Sequence, residues 1–134
     1  MASTGCSIPP LLLIHPVGVG LSSRFWDRFI KQWQKDDPVT KLLAPDLIGC
    51  GKAKFSNEPL TPDDWAKPLV EVLRDRNDGP AVLIAQGTTL PIALAVQEQV
   101  PEQVCGLVAI SPPGWRVLHE TFPIERSRLL WRWF

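Results

Sequence analysis

The segment VLIAQGTTLPIALA, Val82 to Ala95, holds the residue types best arranged for chemistry. An apolar run ends abruptly in a short polar turn, and an Ala/Leu-rich segment follows at helical spacing. A strand-to-helix corner with the pattern G-x-S-x-G aims a serine hydroxyl outward as a nucleophile. The five matching residues are Ala85, Gln86, Gly87, Thr88 and Thr89. Gly87 stands at the nucleophile position and has no side chain to offer. Moving the role to Thr88 or Thr89 turns the hydroxyl away, because the geometry of the corner does the aiming. The central residue of such a corner is held at positive φ, which costs an ordinary residue about 1–3 kcal/mol and suits glycine. Gly87 is therefore predicted to lie at positive φ.

Nucleophilic catalysis also needs a base, and an acid to orient it. The chain has two histidines, His15 and His119. His15 follows the first apolar run in HPVGVG and reads as a hydrogen bonder that anchors a loop. Asp46, in APDLIGCGKA, reads as a turn-former at the end of a second strand. His15, Asp46, Gln86 and Trp26 are the candidate pocket residues. Cys6, Cys50 and Cys105 are odd in number, far apart, and in no C-x-x-C or Cys/His spacing. They are expected to be reduced and mostly buried, with no disulfide framework and no zinc. Gly18-x-Gly20-x-x-Ser23 resembles a dinucleotide fingerprint, but Ser23 replaces its third glycine and His15-Pro16 intervenes after the strand. GCGKAK lacks the first glycine and the Ser/Thr of a phosphate loop. No cofactor and no metal are expected.

These residues need elements to hold them. LLLIH is a buried run, and LSSRFWDRFIKQWQK places Phe25, Trp26, Phe29, Ile30 and Trp33 on one helical face. Ser22 or Ser23 is its predicted N-cap. TKLLAPD gives a second strand. TPDDWAKPLVEVLRDR starts a helix with Thr61 as cap, Pro62 at the first position and Asp63 and Asp64 in the first turn; Pro68 is expected to kink or restart it. AVLIA, LPIALAVQEQV and QVCGLVAIS add a strand, a helix that Pro101 stops, and a fourth strand. PIERSRLLWRWF reads as an amphipathic helix. Strands alternate with helices, and buried rather than alternating runs call for a mostly parallel sheet covered on both faces. The fold class is α/β.

Length and composition agree. The 134 residues suit one domain, and an apolar share of 45% beside 21% charged excludes a disordered chain. Fourteen acidic residues balance fourteen basic ones, so no global charge points to nucleic acid or an anionic membrane. No apolar run approaches the roughly 20 residues of a membrane span, and no export leader is evident; a cytoplasmic protein is expected.

In order along residues 10 to 115, HPVG, Trp26, PDLIGCGKA, the Gly87 corner and GLVAISPP together resemble the α/β-hydrolase fold superfamily of esterases, lipases and related enzymes. The resemblance implies a partial α/β-hydrolase fold: a single domain over 1–134, its amino-terminal half, about four strands, with 116–134 beginning a lid-like region. It implies oxyanion-type backbone donors at Val17 and Thr88, with Pro16 replacing a glycine. In the family's chain order the acid and the histidine follow later strands, so no triad is expected from this chain, and neither His15 nor His119 matches the family position. The implied sheet order runs second strand, first, third, fourth. The expected function is that of a hydrolase-like protein, inactive as this chain, from a superfamily that hydrolyses esters and related bonds. The alternative is a non-catalytic binding module or half of a two-chain assembly, recognising a small acyl or carboxylate ligand or a protein. A partner or second copy would use exposed sheet edges or the stripe Leu130, Trp131, Trp133 and Phe134.

Overall fold

The computed structural model describes residues 7–112. Four strands and three main helices alternate: β1 (Leu11–Ile14), α1 (Asp27–Asp36), β2 (Leu42–Leu43), α2 (Pro62–Arg74), β3 (Ala81–Gln86), α3 (Leu90–Gln99) and β4 (Val104–Ile110). All strand pairings are parallel, in the order β2-β1-β3-β4. This is the order that the resemblance implied.

β1 is central, and all four of its side chains are buried. Leu12 and Ile14 pair in register with Leu83 and Ala85 and share one core with Ala66, Leu69, Val70 and Leu73 of α2 and Ile92, Ala93 and Val96 of α3. Leu11, Leu13 and Ile84 point to the opposite face and meet Trp26, with Phe29, Ile30 and Trp33 of α1 packed against them. Helices thus cover both faces, which is why β1 reads as an unbroken apolar run. Each β1 side chain taken fully out of water contributes about 1.5–3 kcal/mol.

Local signals set the helix ends. A 3-10 turn, Ser23–Trp26, leads into α1, and the Ser22 hydroxyl accepts from the Arg24 amide at its start. α2 opens with a capping box: the Asp64 amide donates to Thr61 Oγ1 at 3.3 Å, and the Thr61 amide donates to Asp64 Oδ2 at 3.0 Å. Pro68 does not restart α2, which runs as one element through it. The ring removes one backbone donor, while Ala66, Leu69, Val70 and Leu73 hold the helix on the sheet.

Among the described residues, cover is incomplete over β4. Val108 pairs with Ile84 and Ile110 with Gln86, so both lie on the α1 side of the sheet. There Val108 is 46% exposed and Ile110 38%. The cysteines divide likewise. Cys50 is buried, but Cys105 is exposed on this edge strand, against the expectation of mostly buried thiols. Among the described residues no helix is long and apolar enough to cross a membrane. Cys6, His119, the lid-like 116–134 and its Leu130, Trp131, Trp133 and Phe134 stripe lie outside the described residues.

Candidate functional site

Because the strands are parallel, the loops after β1, β2 and β3 emerge at one edge of the sheet. Gly87 stands at that edge with φ 64°, the left-handed geometry expected of it. An added Cβ there meets no atom within 4 Å, so the corner opens outward. The next residue, Thr88, is exposed. Thr89 is fully buried, and its hydroxyl donates to the Gln86 carbonyl at 2.9 Å, closing the turn. The buried and bonded Thr89 hydroxyl does not take the place of a side chain at 87. α3 begins directly after this turn, at Leu90.

Val17 and Thr88 come from adjacent strands. Ile14 and Ala85 are register partners, and each of the two residues follows its strand's partner at the same interval. Val17 is half-buried and packs against the larger core. The positive end of the α3 dipole lies at the same edge, where backbone N–H groups favour an anion.

His15 is fully buried. Its Nε2 accepts from the Leu47 amide at 3.0 Å, and Nδ1–H donates to the Pro16 carbonyl at 2.9 Å. Those partners fix the tautomer and leave neither ring nitrogen free for a reactant. The residue ties the loop after β1 to the loop after β2, an anchoring role.

Asp46 is equally engaged. Oδ1 accepts from the Ser23 amide at 2.8 Å and Oδ2 from the Lys52 amide at 2.9 Å. Hydrogen bonds from Lys52 and then Ser23 hold its carboxyl below the usual range. Burial, with a smaller contribution from the charge of Asp46, pushes the Cys50 thiol up. Gly51, at φ 54°, leaves room for the carboxylate. Trp26 lies in the core between Phe25 and Phe29, with edge-on ring contacts at 5.1 and 5.6 Å. Gln86 is half-buried at the end of β3.

The structure therefore brings His15 and Asp46 together through loop backbone, while Val17 and the Gly87–Thr88 corner follow neighbouring strands. Trp26 serves packing beneath the sheet. The sequence reading missed the backbone amides of Ser23, Leu47 and Lys52 as partners. The glycine spacing in GCGK, with Gly51 beside the Asp46 carboxylate, was the available signal. A separate cavity of about 700 Å³ lies at the opposite edge, among Pro10, Lys41, Asp78, Pro80 and Cys105. None of the candidate pocket residues lines it. Among the described residues no group of three or more His, Cys, Asp or Glu side chains is placed to hold a metal ion.

No family model matches the sequence, and no curated protein matches it. Solved structures do match the fold. A pyrethroid hydrolase from Sphingobium faniae superposes with a TM-score of 0.64 at 18% identity, over 79% of this chain and 40% of its own. Polyneuridine aldehyde esterase gives 0.63 at 23% identity, over 78% and 40%. An extracellular α/β-hydrolase from a Paenibacillus species gives 0.62 at 19%, over 78% and 41%. The chain spans about two fifths of the length of these enzymes. With its parallel β2-β1-β3-β4 sheet and strand-to-helix corner at Gly87, it has a partial α/β-hydrolase fold.

Proposed function

We propose that this chain is the amino-terminal half of an α/β-hydrolase-like protein and does not itself hydrolyse esters. The observation that carries this reading is Gly87: the residue at the tip of the corner has the expected backbone geometry and no nucleophile. The amides of Val17 and Thr88 and the start of α3 then serve as an anion pocket, suited to a small acyl or carboxylate compound. His15 and Asp46 support this reading as structural residues, since their hydrogen bonds go to backbone.

The test is turnover of p-nitrophenyl acetate by the purified chain, with Thr88→Ala alongside. A rate at the level of the uncatalysed reaction in both supports the proposal. Saturable turnover at enzyme-like rates that Thr88→Ala abolishes overturns it. A second reading, half of a two-chain assembly or a homo-oligomer, draws support from exposed Val108 and Ile110 on β4. Absolute mass by light scattering tests that reading: a stable dimer favours it, and a compact monomer with a cooperative melt favours the stand-alone module.

A further inference from the structure

We propose that His15 is a proton-sensitive clasp between the loops that follow β1 and β2. The inference is independent of whether the Gly87 corner binds a ligand. It follows from which atoms donate. The Leu47 amide can only donate, so His15 Nε2 must present its lone pair at 3.0 Å. The Pro16 carbonyl can only accept, so Nδ1 carries the proton at 2.9 Å. The ring is neutral in this arrangement and has no third site. A proton added to Nε2 removes the lone pair and sets one N–H against another. Charge on His15 and closure of the clasp are mutually exclusive.

Burial sharpens the conflict. The imidazole is fully enclosed, so no water can take over the lost acceptor without the loops parting. The titratable neighbours are Asp46, whose carboxyl is held below its usual range, and Cys50, whose thiol is pushed up by burial and then by the charge of Asp46. Asp46 is held ionised by the Lys52 and Ser23 amides. It therefore keeps its two bonds while His15 loses one. Acidification opens the Leu47 side first and leaves the Ser23 and Lys52 contacts in place. The freed imidazolium can then turn toward solvent beside an intact carboxylate.

Amide hydrogen exchange by NMR, with the His15 ring signals followed on the same full-length sample, tests the clasp. The titration runs from about pH 8 to about pH 5, where imidazoles change charge. Leu47 protection, corrected for the intrinsic exchange rate, should fall about tenfold as the ring takes up its proton. The Val100 amide, bonded to Val96 within the α3 region, should stay protected. His15→Gln, which can place an oxygen near the Nε2 position, should make Leu47 protection independent of pH. Asp46→Asn should leave the pH dependence in place. The proposal is overturned if the ring charges with Leu47 still protected, or if the ring stays neutral throughout. Parallel loss at Val100, or a pH dependence that persists in the Gln variant, overturns it too. The wild-type titration decides alone should a variant fail to fold.

Discussion

The carboxylate of Asp46 occupies the space that a side chain on Gly51 would need. A Cβ built on Gly51 would sit 2.3 Å from Oδ2 and 2.5 Å from Cγ of Asp46. The two residues fit only as a pair, and glycine at 51 is also at positive φ.

Gly51→Ala should therefore cost more than a positive-φ penalty alone. Gly20 is the control, with φ 73° and nothing within 4 Å of an added Cβ. Gly20→Ala is expected to lose about 1–2 kcal/mol, and Gly51→Ala at least about 1 kcal/mol more as the carboxylate is displaced. Urea denaturation of the two variants measures the difference. Equal losses would mean that the Asp46 contact contributes nothing.

Gly87→Ser should fold. The backbone must hold serine at positive φ, at a cost of about 1–3 kcal/mol, but the open space around the added Cβ leaves no clash. A cooperative melt about 4–11 °C below wild type is the expected outcome. Failure to fold would show the corner to be more crowded than its geometry implies.

Acid should weaken the loop that Asp46 holds. Its carboxyl ionises more readily folded than unfolded, through the Lys52 and Ser23 amides. The resulting stability is complete above the usual carboxylate range near pH 4 and is lost as pH falls through the lower folded value. Asp46→Asn keeps one acceptor oxygen and should cost about 1 kcal/mol near neutral pH, with the gap to wild type closing in strong acid. Chemical denaturation at a series of pH values checks the sign. A constant gap would remove the ionised carboxylate from the explanation.

β3 and β4 should respond very differently to truncation. Leu83 is fully buried, and Leu83→Ala is expected to cost about 2–5 kcal/mol. Val108 on β4 is 46% exposed, and Val108→Ser should cost less than about 1 kcal/mol. A large loss at Val108 in the purified chain would reveal that something covers this face in solution.

The strands and helices were legible because each depends on neighbours in sequence. LLLI and AVLIA are continuous apolar runs, and Thr61-Pro62-Asp63-Asp64 announces a helix start within four residues. Even the Gly87 conformation was readable, since only the strand-to-helix turn around it matters. What was not readable depends on distant pairings. The His15 ring meets the Leu47 amide, and Asp46 meets the Ser23 amide, across long stretches of chain. Cys105 looks like a core residue in QVCGLVAIS, yet its strand is at the edge and its thiol is exposed. Pro68 reads as a breaker, and the side chains packed around it outweigh the single missing donor.

The central place of β1 dictates the timing of assembly. Leu11 pairs with Leu42 on one side and with Val82 on the other, and β2 contributes only two residues. β1 thus gains its second neighbour only once β3 has been made. Closing so long an intervening stretch carries an entropic cost before the contacts repay it, and topologies of this kind fold slowly. During synthesis, LLLI must remain unpaired on its β3 side until Ala81–Gln86 has left the ribosome. Until then its four large apolar side chains lack their β3 neighbours and offer a chaperone a target.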